Sequence, residues 1–184
     1  MNEFDAKTVL PKIAKGDEFA FKSLYDQFGG YVFKVVILSL RDHAKAEELA
    51  QSIWLKIWRF AGKYDTSRPF KPWLSRIISN EIVSYYRVQK PKNQSFEDMK
   101  DIGFEPTEDN DELREKEFEK DLSEELNTAL DLLTDKQRQV IVLKYYQGFK
   151  IREIAKVLKI GESAVKARLY SGLEVLSKSQ EGRR

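Results

Sequence analysis

No cysteine occurs among the 184 residues. Disulfides and thiolate metal sites are therefore excluded, and a reducing compartment fits. Histidine is almost absent too: His43 stands alone, with no second imidazole to complete a metal pair. At a helix start it reads as a capping or solvated residue. No glycine-rich phosphate loop and no nucleophile motif appears, so neither a cofactor nor a metal is expected. Glu47 and Glu48 are adjacent and point in different directions on a helix. Carboxylate-only nuclease sites exist, but nothing here supports one. Long apolar runs are missing as well. VFKVVILSL, from Val32 to Leu40, is broken by Lys34 and falls far short of the ~20 apolar residues that span a bilayer. MNEFDAKTVLPKIAKGDEF lacks the apolar stretch of a signal peptide. The expected location is the cytoplasm, without membrane insertion.

What is present suffices for a core: 41% of the chain is hydrophobic and 12% of the chain is aromatic. The net charge of +2 hides a pattern. Residues 1–90 carry a net +5, residues 91–126 a net −9 and residues 127–184 a net +6. Two basic blocks around an acidic segment suit phosphate binding. Lysine and arginine that merely solvate helices would give the same count.

Strand-like alternation is absent and helical periodicity recurs. Gly16-Asp17 interrupts an early helix, and Asp17 can cap the next, which carries Phe19, Phe21, Leu24, Tyr25 and Phe28. Gly29-Gly30 is expected to end it, with a separate helix over about Tyr31–Leu40. Asp42 can cap a fourth, with Ala46, Leu49, Ala50, Ile53, Ile57 and Phe60 on one stripe, closed by Gly62. Trp54 and Trp58 flank that stripe, and Glu47, Glu48, Gln51, Ser52 and Lys56 form a polar edge that can dock a partner helix or simply face solvent. KYDTSRPFKP reads as a loop before a fifth helix. Its apolar side holds Phe70, Trp73, Leu74, Ile77, Ile78, Ile82 and Tyr85. Its other face offers Arg76, Asn80, Val83, Ser84 and Arg87, preceded by Lys71. The loop residues Lys63, Tyr64, Thr66, Ser67 and Arg68 mix cations, hydroxyls and a ring, a composition able to hold an unstacked base.

PKNQSFEDMKDIGFEPTEDNDEL is acidic and poor in aliphatics, too polar to offset its ordering entropy. Phe96, Ile102 and Phe104 are its apolar exceptions. The prediction is an all-α chain of two helical domains, residues 1–92 and 122–184, joined by a flexible acidic linker, 93–121. The second domain ends in a helix-turn-helix. A first helix over about Lys150–Leu158 is followed by Lys159-Ile160-Gly161 and a second helix over about Glu162–Ser177. The second is expected to bury Val165, Leu169, Leu173 and Leu176. It would then expose Ser163, Lys166, Ala167, Arg168, Tyr170 and Ser171, a set able to read a major groove. An ordinary helical hairpin with scattered charge remains the plain alternative.

Four segments in order carry a family resemblance: GDEFAFKSLYDQF, AEELAQSIWLKIWR, FKPWLSRIISNEIVSYYR and LTDKQRQVIVLKYYQGFKIREIAKVLKIGESAVKARL. The chain resembles the extracytoplasmic-function (ECF, group IV) sigma factors of bacterial RNA polymerase. That resemblance implies a region 2-like domain that docks on core polymerase and melts the promoter −10 element. Glu47, Glu48, Gln51, Trp54 and Lys56 would meet a β′ coiled coil. Lys63, Tyr64, Thr66, Ser67 and Arg68 would receive a flipped base, and Arg76, Asn80, Ser84 and Arg87 would contact the −10 strand. It implies a region 4-like domain whose Lys150, Arg152, Ser163, Lys166, Arg168, Tyr170 and Ser171 meet the −35 element. The implied partners are core polymerase (β and β′), promoter DNA and an anti-sigma factor, with a monomer when unpartnered and no enzymatic activity. Two departures stand out. Ser52 replaces a carboxylate usual in the docking helix, and Tyr170-Ser171-Gly172-Leu173-Glu174 replaces an arginine-rich tail.

Two other classes stay open on the residues alone. A standalone helix-turn-helix regulator would bind duplex tightly without polymerase. A nucleic-acid enzyme would cleave in a metal-dependent assay.

Overall fold

The computed structural model describes residues 5–88 and 128–181. The expected linker, with Phe96, Ile102 and Phe104, lies outside them. The chain divides into two compact units, residues 1–85 and 86–184. Among the described residues every regular element is helical.

Among its described residues the first unit holds α1 (Ala6–Ile13), α2 (Glu18–Leu40), α3 (His43–Phe60) and all but the last three residues of α4 (Phe70–Val88). The first three helices start at aspartates. Asp5 accepts from the Lys7 N–H, Asp17 from the Ala20 N–H at 3.0 Å and Asp42 from the Lys45 N–H at 3.1 Å. Each satisfies a backbone donor that the first helical turn leaves open. Gly16 makes the break between α1 and α2 at φ 88°. Arg41 takes the left-handed conformation at φ 57° and separates α2 from α3.

The expected break at Gly29-Gly30 does not occur: α2 runs unbroken through both. Glycine costs ~1 kcal/mol in a helix interior. Here the helix gains more by burying Leu24, Val32, Val35, Val36 and Leu38 along its length. A Cβ added at Gly29 would stand 3.5 Å from the Tyr25 ring. At the other end, α3 passes into a 3-10 turn, Ala61–Lys63, rather than stopping at a left-handed glycine. Pro72 falls in the first turn of α4, where its missing N–H leaves no bond unmade. The core is the shared apolar face of Leu10, Ile13, Leu24, Val32, Ile53, Ile57, Leu74 and Ile78.

The second unit contains α5 (Asp135–Ile141), a π-turn (Val142–Tyr146), α6 (Ile151–Leu158) and α7 (Glu162–Glu181). Thr134 and Gln137 close a reciprocal cap on α5. Arg138 is buried and donates to the Leu130 and Leu133 carbonyls at 3.1 and 2.7 Å, tying the segment before α5 down. Glu153 accepts from the Lys150 N–H at the start of α6. Lys159, not Gly161, supplies the left-handed residue between α6 and α7, at φ 53°.

The buried side of α7 differs from expectation at one position. Val165, Leu169 and Leu176 are buried, but Leu173 is half-exposed and Gly172 takes its place inside. The side chains of Ile141 and Gln137 on α5 crowd the space beside it.

Candidate nucleic-acid interface

In the second unit, the short α6 and the longer α7 stand as consecutive helices around the Lys159 turn. Ser163, Lys166, Ala167 and Tyr170 are exposed, with Tyr170 66% so. Arg168 is half-buried, Arg152 exposed and Lys150 half-buried. Ser171 lies at the side of this surface. Its hydroxyl accepts from Gln137 Nε2 at 3.1 Å and donates to the Arg168 carbonyl at 3.2 Å. It thus links α7 to α5 rather than presenting a spare hydroxyl outward. With Val165 and Leu169 turned inward, the cationic and hydroxyl groups of α7 fall on the opposite side, the amphipathic division a groove-reading helix needs.

In the first unit, α4 carries Arg76, Asn80 and Ser84 at successive i, i+4 spacing, all half-buried, with Arg87 exposed beyond them. Ile78 and Ile82 point into the core. The loop before α4 is shaped by Asp65. Asp65 accepts from the Ser67 N–H at 3.0 Å and hydroxyl at 2.7 Å, and pairs with Arg68 Nε at 3.2 Å. The Ser67 hydroxyl, then its N–H and the Arg68 guanidinium, hold the Asp65 carboxyl below the ordinary range. Lys63 lies 5.2 Å over the Phe60 ring, and Thr66 is exposed.

Tyr64 is 9% exposed and donates to the Arg68 carbonyl at 2.6 Å. Its ring meets Trp73 at 5.4 Å and Phe70 at 6.3 Å, and Phe70 meets Phe28 at 4.9 Å. These rings support the loop from within.

The exposed edge of α3 holds Glu47, Glu48 and Gln51. Leu55, 66% exposed and one turn beyond Gln51, continues it. The sequence reading missed Leu55, although its place off the Ile53/Ile57 stripe was a usable signal. Trp54, at the side of the Ile53/Ile57 stripe, is 7% exposed and packs edge-on against Phe21 at 5.8 Å and under Tyr25 at 4.9 Å, so its bulk is core. Lys56 turns its ammonium to Glu81 of α4, on which Ser52 also donates at 3.2 Å. His43, the first residue of α3, is exposed, 3.6 Å from Glu47. Among the described residues no acidic, histidine or cysteine group could hold a metal ion, and no helix is long and apolar enough to cross a membrane.

Comparison with known proteins bears on both units. Residues 24–91 match the family described as Sigma-70 region 2, and residues 123–176 match Sigma-70, region 4. The chain belongs to the sigma-70 family. A sigma factor binds core RNA polymerase and directs it to promoters, so this protein is a transcription initiation factor. It is 29% identical over 173 residues to the ECF RNA polymerase sigma factor SigK of Mycobacterium tuberculosis, covering 94% of this chain and 91% of that one. It is 28% identical over 172 residues to the ECF RNA polymerase sigma factor SigX of Bacillus subtilis, covering 89% and 85%. Among solved structures, CnrH, in complex with the cytosolic domain of CnrY, shares the fold with a TM-score of 0.58 at 20% identity, over 98% of this sigma factor and all of CnrH. RpoE of Bartonella quintana, in complex with the anti-sigma factor NepR, matches with a TM-score of 0.54 at 23% identity, over 89% and 98% of the two chains. The helical architecture seen here is thus that of known sigma factors.

Proposed function

We propose that this sigma factor is a group IV, extracytoplasmic-function member acting in the cytoplasm, without enzymatic activity. Residues 1–92 dock on core polymerase and open the −10 element. Residues 122–184 read the −35 element, and residues 93–121 join the two. The observation that carries this reading is the ordered pair of regions, 2 then 4, each with one polar helix face opposite a packed apolar one.

On α4, Arg76, Asn80, Ser84 and Arg87 meet the −10 strand, while Lys63, Thr66, Ser67 and Arg68 border the place of an unstacked base. On the helix-turn-helix, Ser163, Lys166, Arg168 and Tyr170 enter the major groove, and Lys150 and Arg152 approach phosphate. Glu47, Glu48 and Gln51, joined by Leu55, dock on polymerase. Trp54 and Tyr64 serve these surfaces by packing beneath them, Ser171 by bonding at the exposed edge of its own, and Lys56 acts through Glu81. Tethering the second region raises its local concentration once the first is bound. Control by an anti-sigma factor belongs to the proposal; RpoE, which shares the fold, was solved with one.

Selection from a random duplex pool tests the reading. With core polymerase present, the chain should enrich duplexes bearing two separated sequence blocks, and without polymerase none. A single block enriched equally with and without polymerase would identify a standalone regulator instead.

A further inference from the structure

Glu81 is a carboxylate held inside the first unit. It follows Asn80 on α4, about 100° further round the helix, and its side chain is 9% exposed. Lys56 Nζ of α3 pairs with Oε1, and Ser52 Oγ, one turn earlier on α3, donates to Oε2 at 3.2 Å. Both carboxylate oxygens are therefore engaged by one neighbouring helix. Ser52 and Lys56 follow directly on Gln51 and Leu55, which are exposed. The same turns of α3 thus carry the outward docking edge on one side and the grip on Glu81 on the other.

Apolar packing alone leaves α4 some freedom. Leu74, Ile78 and Ile82 are buried against the unit, but hydrophobic contact is non-directional and tolerates small rotations and slides. A carboxylate fixed at both oxygens by two donors a turn apart does not. A direct role for Glu81 on DNA is excluded by its burial and by its sign, since a carboxylate repels phosphate. The pair also accounts for serine at position 52: a second carboxylate there would stand against Glu81.

We infer that Glu81 is a positioning residue that sets the rotation and height of the Asn80–Ser84 face of α4 against the docking edge of α3, aligning strand capture with docked polymerase. The inference rests on the proposed roles of those two surfaces.

The test uses the full chain with core polymerase. Glu81→Gln keeps the shape but leaves only one side-chain oxygen to accept from the two donors. Folding is followed by circular dichroism, core affinity by competition and promoter opening by permanganate reactivity at saturating holoenzyme. Core affinity should stay within about twofold while opening falls about tenfold, and Asn80→Ala/Glu81→Gln should open no worse than Asn80→Ala alone. Ser52→Ala, which leaves the ion pair, should move opening the same way by roughly threefold. Wild-type opening by folded Glu81→Gln, losses that multiply with Asn80→Ala, or core affinity falling in step with opening would each overturn the inference. If Glu81→Gln does not fold, Ser52→Ala decides by the same readings. An Asn80→Ala variant that opens normally would overturn the proposed −10 role and this inference with it. A silent Glu81→Gln beside an impaired Asn80→Ala overturns the inference alone.

Discussion

A methyl group at Gly172 of α7 would have to displace the end of the Ile141 side chain of α5. A Cβ at Gly172 would stand 2.7 Å from Ile141 Cδ1 and 3.3 Å from Gln137 Cβ. The glycine that weakens α7 as a helix is therefore what lets it lie against α5. Gly172→Leu should destabilise the second unit by ~2 kcal/mol despite leucine's better helix propensity. Urea unfolding followed by a probe in residues 128–181 checks this; an unchanged midpoint would mean that the two helices part at no cost.

The Asp42 cap gives α3 an acid sensitivity. The Lys45 N–H, then its side chain, hold the Asp42 carboxyl below its ordinary value. A folded-state pKa below the unfolded one means the contribution is present above the unfolded value and is lost as pH falls through the folded one. Thermal midpoints of the first unit should therefore drop below about pH 4. Asp42→Asn should flatten part of that drop while still accepting from the Lys45 N–H. The same slope in both proteins would assign the acid loss to other carboxylates.

Asn80→Ala should lower promoter opening by about tenfold or more, the loss of roughly one hydrogen-bonded contact, with little change in core affinity. Permanganate reactivity of the −10 region at saturating holoenzyme reads the first, and competition for core reads the second.

Arg168→Ala should weaken −35 binding by ~1–3 kcal/mol in a manner that ranks by sequence. Affinities measured across a set of −35 variants check it. An equal loss on every variant would place Arg168 on phosphate only.

Much of this was legible before any coordinates. Asp17 and Asp42 announce their helices because a cap is a local event between residues three apart. The α6–turn–α7 layout follows from apolar spacing in the same way. Gly29-Gly30 misled because local propensity argues for a stop while the buried valines on its far side, Val32, Val35 and Val36, argue for continuation, and burial is the larger effect. At Gly172 local propensity shows only the ~1 kcal/mol cost of glycine in a helix, because its neighbour Ile141 lies 31 residues away. Tyr64 reads as part of a base-holding loop by residue type, yet its ring joins an aromatic cluster with Phe70 and Trp73; Trp54, expected as core or semi-buried from its spacing, is core. Glu81 gave no signal: a lone carboxylate in a polar-apolar mixture finds Lys56 only once α3 and α4 are packed.

The most direct measurement is run-off transcription from a pool of promoter fragments, using purified core polymerase with and without this chain. Defined transcripts that depend on the added chain, and that vanish when Glu47, Glu48 and Gln51 are changed together, are the predicted result. Transcription no higher than that of core alone on every fragment would contradict the assignment of this protein as an initiation factor.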